Sequence, residues 1–272
     1  VLSDVAVEAQ GVELRDLYPR RVPDVFSGGQ LLLFGRYRGT GRGTVVARGT
    51  ARNRKEAFEC EADFGGNEAN DFLPSVWAHR KVAFLMEEIR LRGHNKELEE
   101  EIVALGKRYG IVTPYTSFLV VEDETPAVQE QVRRMRQSFE GATSGRGAVT
   151  MSRGLAGAKT ADAAAPAGAP SMLGFAGGQG GGASGEAAYE PLKTAAKERM
   201  RKVADKVFYL GDDGFYYDSA FEEPMRDRIE EVKYLGDAYF DLLDRHPGIG
   251  KYLAAKAKLV ICIDGKVYRI VE

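Results

Sequence analysis

The sequence predicts an α+β protein, and three observations carry that reading. Short apolar and alternating runs fill the first 64 residues; two helical stripes follow one another between residues 72 and 110; strand patterns return near the end, closed by an Asp-Gly turn. The expected organisation is β-sandwich-like strands plus a helical hairpin over residues 1–124. A flexible Gly/Ala-rich linker would follow over 125–190, then a small α+β domain over 191–272.

Residues 4–8 and 12–17 read as extended. Pro19 and Pro23 bracket a non-helical crossing, because the residue before a proline is pushed out of helical space. Residues 30–36 and 44–48 are apolar runs, separated by a Gly-rich loop at 39–43. Residues 57–64 alternate Phe58, Cys60, Ala62 and Phe64 against Glu59, Glu61 and Asp63, the pattern of a strand with one buried and one wet face. Trp77, Val82, Leu85, Met86 and Ile89 then share a helical face, with Pro74 suited to the first turn. Gly93 is expected as a left-handed C-terminal cap, and Asn95 as the N-cap of a second helix striped by Leu98, Ile102, Leu105 and Tyr109. Gly110 stops that helix, residues 112–115 turn the chain, and residues 117–121 read as a strand. Two helices joined so tightly should form an antiparallel hairpin laid on a sheet.

Residues 141–188 are dominated by Gly, Ala and Ser and cannot bury enough apolar surface to offset ordering. Residues 128–139 before them fit a short helix, and Leu173 with Phe175 form an isolated apolar pair. Strands over 206–210 and 214–217 flank the turn Gly211-Asp212-Asp213. Residues 237–244 have helical spacing, and Pro247 would start another helix reaching about Ala257. Strands over 259–263 and 266–271 enclose Asp264-Gly265, the strongest short hairpin signal.

The block from Phe72 to Glu122 resembles the region after the von Willebrand A domain in VIT/von Willebrand A proteins, the family of the inter-alpha-trypsin inhibitor heavy chains and their bacterial relatives. The resemblance rests on Leu73-Pro74-Ser75-Val76-Trp77-Ala78-His79-Arg80-Lys81, on Glu88-Ile89-Arg90-Leu91, and on Lys96-Glu97-Leu98. Its densest part is Arg108-Tyr109-Gly110-Ile111-Val112-Thr113-Pro114-Tyr115-Thr116-Ser117-Phe118-Leu119. Tyr18-Pro19, Pro23 through Gln30, and Gly35-Arg36-Tyr37 fit more weakly upstream. The resemblance implies a secreted, periplasmic or surface-attached, non-enzymatic protein acting in adhesion or assembly. Its partners would be proteins, including VIT and von Willebrand A domains lying upstream of a fragment that starts after the A domain. Such a fragment would leave strand edges or apolar faces open. The family's Asp-x-Ser-x-Ser metal site and its Asp-Pro cleavage site have no counterpart here.

Chemistry is sparse. A net charge of −2 gives no electrostatic case for nucleic acid. No apolar run reaches the ~18 residues of a membrane span. His79, His94 and His246 stand apart from one another and read as structural, so no metal, cofactor or catalytic residue is expected. The Gly39–Gly43 loop lacks the Lys and following helix of a phosphate loop. Cys60 and Cys262, each in an apolar pattern, are expected as buried free thiols, with their pairing left open. The candidate ligand surface is Asp212, Asp213, Tyr216 and Tyr217, where acidic and aromatic groups could hold a carbohydrate or cation. That surface carries the alternative reading, a ligand-binding accessory domain of an enzyme; an intracellular scaffold is the third.

Overall fold

The computed structural model describes residues 1–65, 72–117, 126–141, 145–160, 171–172, 198–254 and 258–272. It is α+β, with helices and strands in several sheets. Two compact units divide the chain: Val1–Lys81 with Ala158–Ala164, and Val82–Gly157 with Ala165–Glu272.

In the first unit β1 (Leu2–Gln10), β4 (Arg42–Ala51) and β5 (Arg54–Asp63) form an antiparallel sheet in the order β1-β4-β5. β2 (Glu13–Tyr18) and β3 (Phe34–Arg38) make a separate two-stranded ribbon. The expected strand at 30–36 thus begins only at Phe34. Arg52 and Asn53 both have positive φ, which matches a tight β4–β5 hairpin to the twist of its strands.

The Trp77–Lys81 block, in α1 (Leu73–Arg92), is the clamp on that ribbon. The Trp77 indole N–H donates to the Asp16 carbonyl at 3.0 Å. The buried Arg80 guanidinium donates to the Leu32 carbonyl at 3.3 Å and lies 4.2 Å over the Phe34 ring. Lys81 sits 3.6 Å from the Asp16 carboxylate and 5.3 Å from the Trp77 ring. His79 donates its Nδ1 proton to the Ser75 carbonyl at 2.6 Å, the structural role its isolation suggested. α1 is buried well beyond the predicted stripe: Val76, Ala78 and Ala83 join Trp77, Val82, Leu85, Met86 and Ile89.

In the second unit α2 (Lys96–Tyr109) is capped as its sequence requires. The Asn95 side chain accepts from the N–H groups of Glu97 and Leu98, a cap worth about 1 kcal/mol, and Gly110 closes the helix at φ +67°. Residues 111–117 are all buried. They comprise β6 (Ile111–Val112) and a turn knotted by hydroxyls. Thr113 Oγ1 accepts from the N–H groups of Tyr115 and Thr116, and Thr116 Oγ1 accepts from the Thr113 N–H at 2.7 Å while donating to the Ile111 carbonyl at 2.7 Å. Ser117 therefore belongs to a turn, not to a strand start, because these side chains satisfy the backbone locally. Residues 118–121 lie outside the described residues.

Two helices fall inside the segment expected as linker. α3 (Pro126–Gly141) extends the predicted short helix, with Phe139 buried edge-on to Tyr115 at 5.9 Å. α4 (Gly145–Thr160) was not predicted from its Gly-rich composition; it buries Met151 and Leu155, and Ser152 accepts from Arg90 at 2.6 Å. A short parallel pairing joins β6 to β7 (Ser171–Met172). Leu173 and Phe175 lie outside the described residues.

The remaining strands and α-helices are β8 (Met200–Val203), β9 (Lys206–Leu210), β10 (Tyr216–Asp218), β11 (Ile229–Lys233), α5 (Asp237–Arg245), α6 (Gly250–Leu253), β12 (Leu259–Ile263) and β13 (Lys266–Val271), with a 3-10 turn over Glu223–Arg228. Their sheet has the order β11-β13-β12-β10-β9-β8, with β10/β12 and β11/β13 parallel. Asp264 and Gly265 both take positive φ, as the Asp-Gly turn demands. One face carries the main core, including Phe208, Tyr216, Tyr239, Leu242, Tyr252, Tyr268 and Ile270; the other carries Phe221, Val260 and Val267. The helix expected from Pro247 starts only at Gly250, after a loop in which Gly248 is left-handed. The sheet meets α2 at its C-terminus, where the Tyr209 hydroxyl donates to the Lys107 carbonyl at 2.8 Å, one of the acceptors a helix end leaves open.

Candidate functional site

The structure separates the four residues of the candidate ligand surface. Asp213 begins a turn in which its Oδ1 accepts from the Phe215 N–H at 3.1 Å. Its Oδ2 accepts from the Tyr217 hydroxyl at 2.8 Å and from Arg269 at 3.2 Å, and the Arg269 guanidinium lies 4.0 Å over the Phe215 ring. Burial, then this bond to Asp213, raises the Tyr217 pKa. Tyr216 points to the opposite sheet face, as strand alternation requires, and is buried in the main core with its hydroxyl on the Glu198 carbonyl at 3.3 Å. Asp212 is exposed, 3.8 Å from Arg199. Asp213, Tyr217 and Arg269 are thus one cluster, and its donors already engage both Asp213 oxygens.

A polar centre that the sequence did not disclose lies next to it. Asp218 ends β10 with a buried side chain. Its Oδ2 accepts from Lys206 Nζ at 2.6 Å and from the Cys262 N–H at 3.1 Å; its Oδ1 accepts from the Ala220 N–H at 3.0 Å. Lys206 also donates to the Cys262 carbonyl at 2.9 Å, tying β9, β10 and β12 together. On the other side of the hairpin the Tyr252 hydroxyl donates to Asp205, with Lys251 3.3 Å away. Burial, then this bond, pushes Tyr252 up to about 12. Burial alone would raise Asp205, but the Tyr252 and Lys251 partners outweigh it and lower its pKa.

Cys262 is half-buried rather than buried as expected; burial, then the Asp218 carboxylate, pushes its thiol up to about 11, so at neutral pH it is protonated rather than a nucleophile. A pKa raised on folding contributes stability below the unfolded value and loses it as pH rises through the folded one. The window here runs from about 9 to about 11. In Cys262→Ala that part of the alkaline loss is expected to vanish; urea unfolding of both proteins at neutral pH and across the window measures it, and parallel curves would reject the assignment.

The β1-β4-β5 sheet presents a different kind of feature. Pairing places Val7, Ala47 and Phe58 in one row and Ala9, Val45 and Cys60 in the next, so these six share a face. That face is the one the alternation marked for burial, yet Phe58 is 58% exposed and Cys60 is exposed. The expectation of a buried Cys60 is therefore corrected: alternation is present, but among the described residues nothing covers the outer end of the face. Both cysteines are free thiols. Among the described residues β5 pairs only with β4, so its ten-residue outer edge is open beside the apolar row. An open edge and an apolar face together make a surface for strand addition or sheet stacking.

His94 engages Glu99 at 2.6 Å in the inter-helix turn, and His246 caps α5 with its Nδ1 3.1 Å from Asp264. Among the described residues no group of three or more His, Cys, Asp or Glu side chains could hold a metal ion, and no helix is long and apolar enough to cross a membrane. The class that fold and surface define is an α+β protein in which, among the described residues, the β5 end of a sheet face is exposed. No protein-family model, no curated protein and no solved structure matches this chain.

Proposed function

We propose that this chain is a non-enzymatic interaction module of the VIT/von Willebrand A type, binding a protein partner through the exposed β5 end of the β1-β4-β5 face. The observation that carries the reading is Phe58, 58% exposed at the open edge of a sheet whose apolar row it completes. The Trp77–Lys81 clamp supports it: the residues of the family resemblance hold the β2–β3 ribbon rather than line a reaction centre. So do the internal partners of Asp205, Asp213 and Asp218, which commit those carboxylates to hairpins and strands. The partner of this reading is a VIT and von Willebrand A domain pair, stacking apolar side chains on Phe58 and pairing with the β5 edge, in a secreted, periplasmic or surface-attached setting.

Titration calorimetry with a recombinant VIT–von Willebrand A pair tests this. Wild-type chain is expected to bind, and Phe58→Asp to weaken binding at least roughly tenfold, the loss expected when a central aromatic anchor is replaced by a charge. Phe58 is exposed, so the variant should melt with the wild type. Absence of binding, or equal affinity of the variant, would remove the proposal.

A further inference from the structure

β11 is an edge strand of the six-stranded sheet. It pairs with β13 on one side, and among the described residues nothing pairs with its outer edge. Glu230, Glu231 and Lys233 on it are exposed. The chain leaving it is unusual. Leu235 takes φ +57°, a left-handed conformation that strains a branched side chain, and it is 58% exposed. Ring contacts run from Tyr234 to Tyr239 at 5.2 Å and on to Phe240 at 5.6 Å, and Phe240 is 50% exposed. An open edge thus ends in an apolar patch of Tyr234, Leu235 and Phe240.

Among the registers centred on Glu230, Glu231, Val232 and Lys233, this edge is complementary to itself in one. Two identical strands related by a two-fold axis perpendicular to their sheet run antiparallel, and side chains opposite each other stay on one face, so the axis passes through a residue. Centring it on Glu230, Glu231 or Lys233 sets like charges directly opposite. Centring it on Val232 sets Glu231 opposite Lys233 of the second copy, twice by symmetry, and Glu230 opposite Tyr234. The same register brings Leu235 to the Ile229 end of the other strand. It also keeps both α5 helices on one face, because the axis preserves faces.

We propose that two copies of this chain associate through antiparallel β11 edges in the Val232-centred register, continuing the two six-stranded sheets into one. The contact is a short edge with a small patch, which makes it a reversible association rather than a permanent dimer.

Sedimentation equilibrium of the full chain tests this. The wild type should show a concentration-dependent monomer–dimer equilibrium. Glu231→Lys alone and Lys233→Glu alone each turn two attractive pairs into repulsive ones and should raise the dissociation constant roughly tenfold. The two changes together restore opposite charges and should bring it back to within about threefold of the wild type. Because both side chains are exposed, the variants should melt with the wild type, and Glu231→Gln with Lys233→Gln gives an uncharged, intermediate case should a reversal disturb the fold. A chain that stays monomeric, single variants that associate like the wild type, or a double reversal that does not recover would each overturn the register.

Discussion

Lys206→Met is expected to cost about 3–5 kcal/mol of folding stability, the range for removing one partner of a buried ion pair. Asp218 is the reason. Its side chain is 1% exposed and that of Lys206 21%, so the carboxylate depends on the ammonium 2.6 Å away far more than the ammonium depends on it. Without Lys206, the N–H groups of Ala220 and Cys262 remain as dipoles, but the charge has no counterion. The Cys262 carbonyl also loses its donor. Adding Asp218→Asn should recover part of the loss, because it removes the buried charge while its single amide oxygen can keep accepting from one of the two N–H groups that Asp218 holds on separate oxygens. Urea unfolding of the wild type, the single and the double variant measures all three. A single variant within about 0.5 kcal/mol of the wild type, the range of ordinary surface changes, would show that this pair does not support the sheet.

Gly106→Ala is expected to cost about 1–3 kcal/mol, as overpacking of a close contact does. A Cβ at this position would lie 2.4 Å from Thr116 Cγ2 and 2.8 Å from the Ile111 carbonyl oxygen. The Thr116 hydroxyl is bonded on both sides, to Ile111 and Thr113, so the side chain cannot rotate away without breaking that network. Thr116→Ser keeps the hydroxyl and removes the methyl, so it should return part of the stability to Gly106→Ala while costing little else. The carbonyl contact stays, and recovery should be incomplete. Thermal unfolding of the four proteins in a double-mutant cycle tests the coupling; strict additivity would mean that the methyl–methyl contact is not the source of the cost.

What could be read from the sequence was local. The Asn95 cap, the Gly93 and Gly110 stops, and the Asp264-Gly265 hairpin follow from backbone chemistry within a few residues, and all appear. β9, β12 and β13 match their predicted limits because apolar runs between strong turns leave few choices. β11 was missed because Ile229-Glu230-Glu231-Val232-Lys233 is charged and gains its place only by lying parallel to β13, a distant pairing. β8 was missed although it pairs locally with β9, because Met200-Arg201-Lys202-Val203 is short and half charged. In α4 the burial of Met151 and Leu155 outweighs a Gly-rich composition.

The site was half legible. Alternation assigned Phe58 and Cys60 to one face, but a periodic pattern says which side chains share a face and nothing about what covers it. Asp213 and Tyr217 were rightly associated, while Tyr216 was grouped with them although adjacent strand residues point apart. The pairing of Asp218 with Lys206 carried no signal, since it arises only when β9 and β10 fold together across the hairpin.

Hydrogen exchange of the full chain, with and without a recombinant VIT–von Willebrand A pair, tests the central claim most directly. The open edge predicts new amide protection in Arg54–Asp63 on binding, with β9, β12 and β13 unchanged. Binding that leaves exchange in Arg54–Asp63 unaltered, or protects the C-terminal sheet instead, would contradict it.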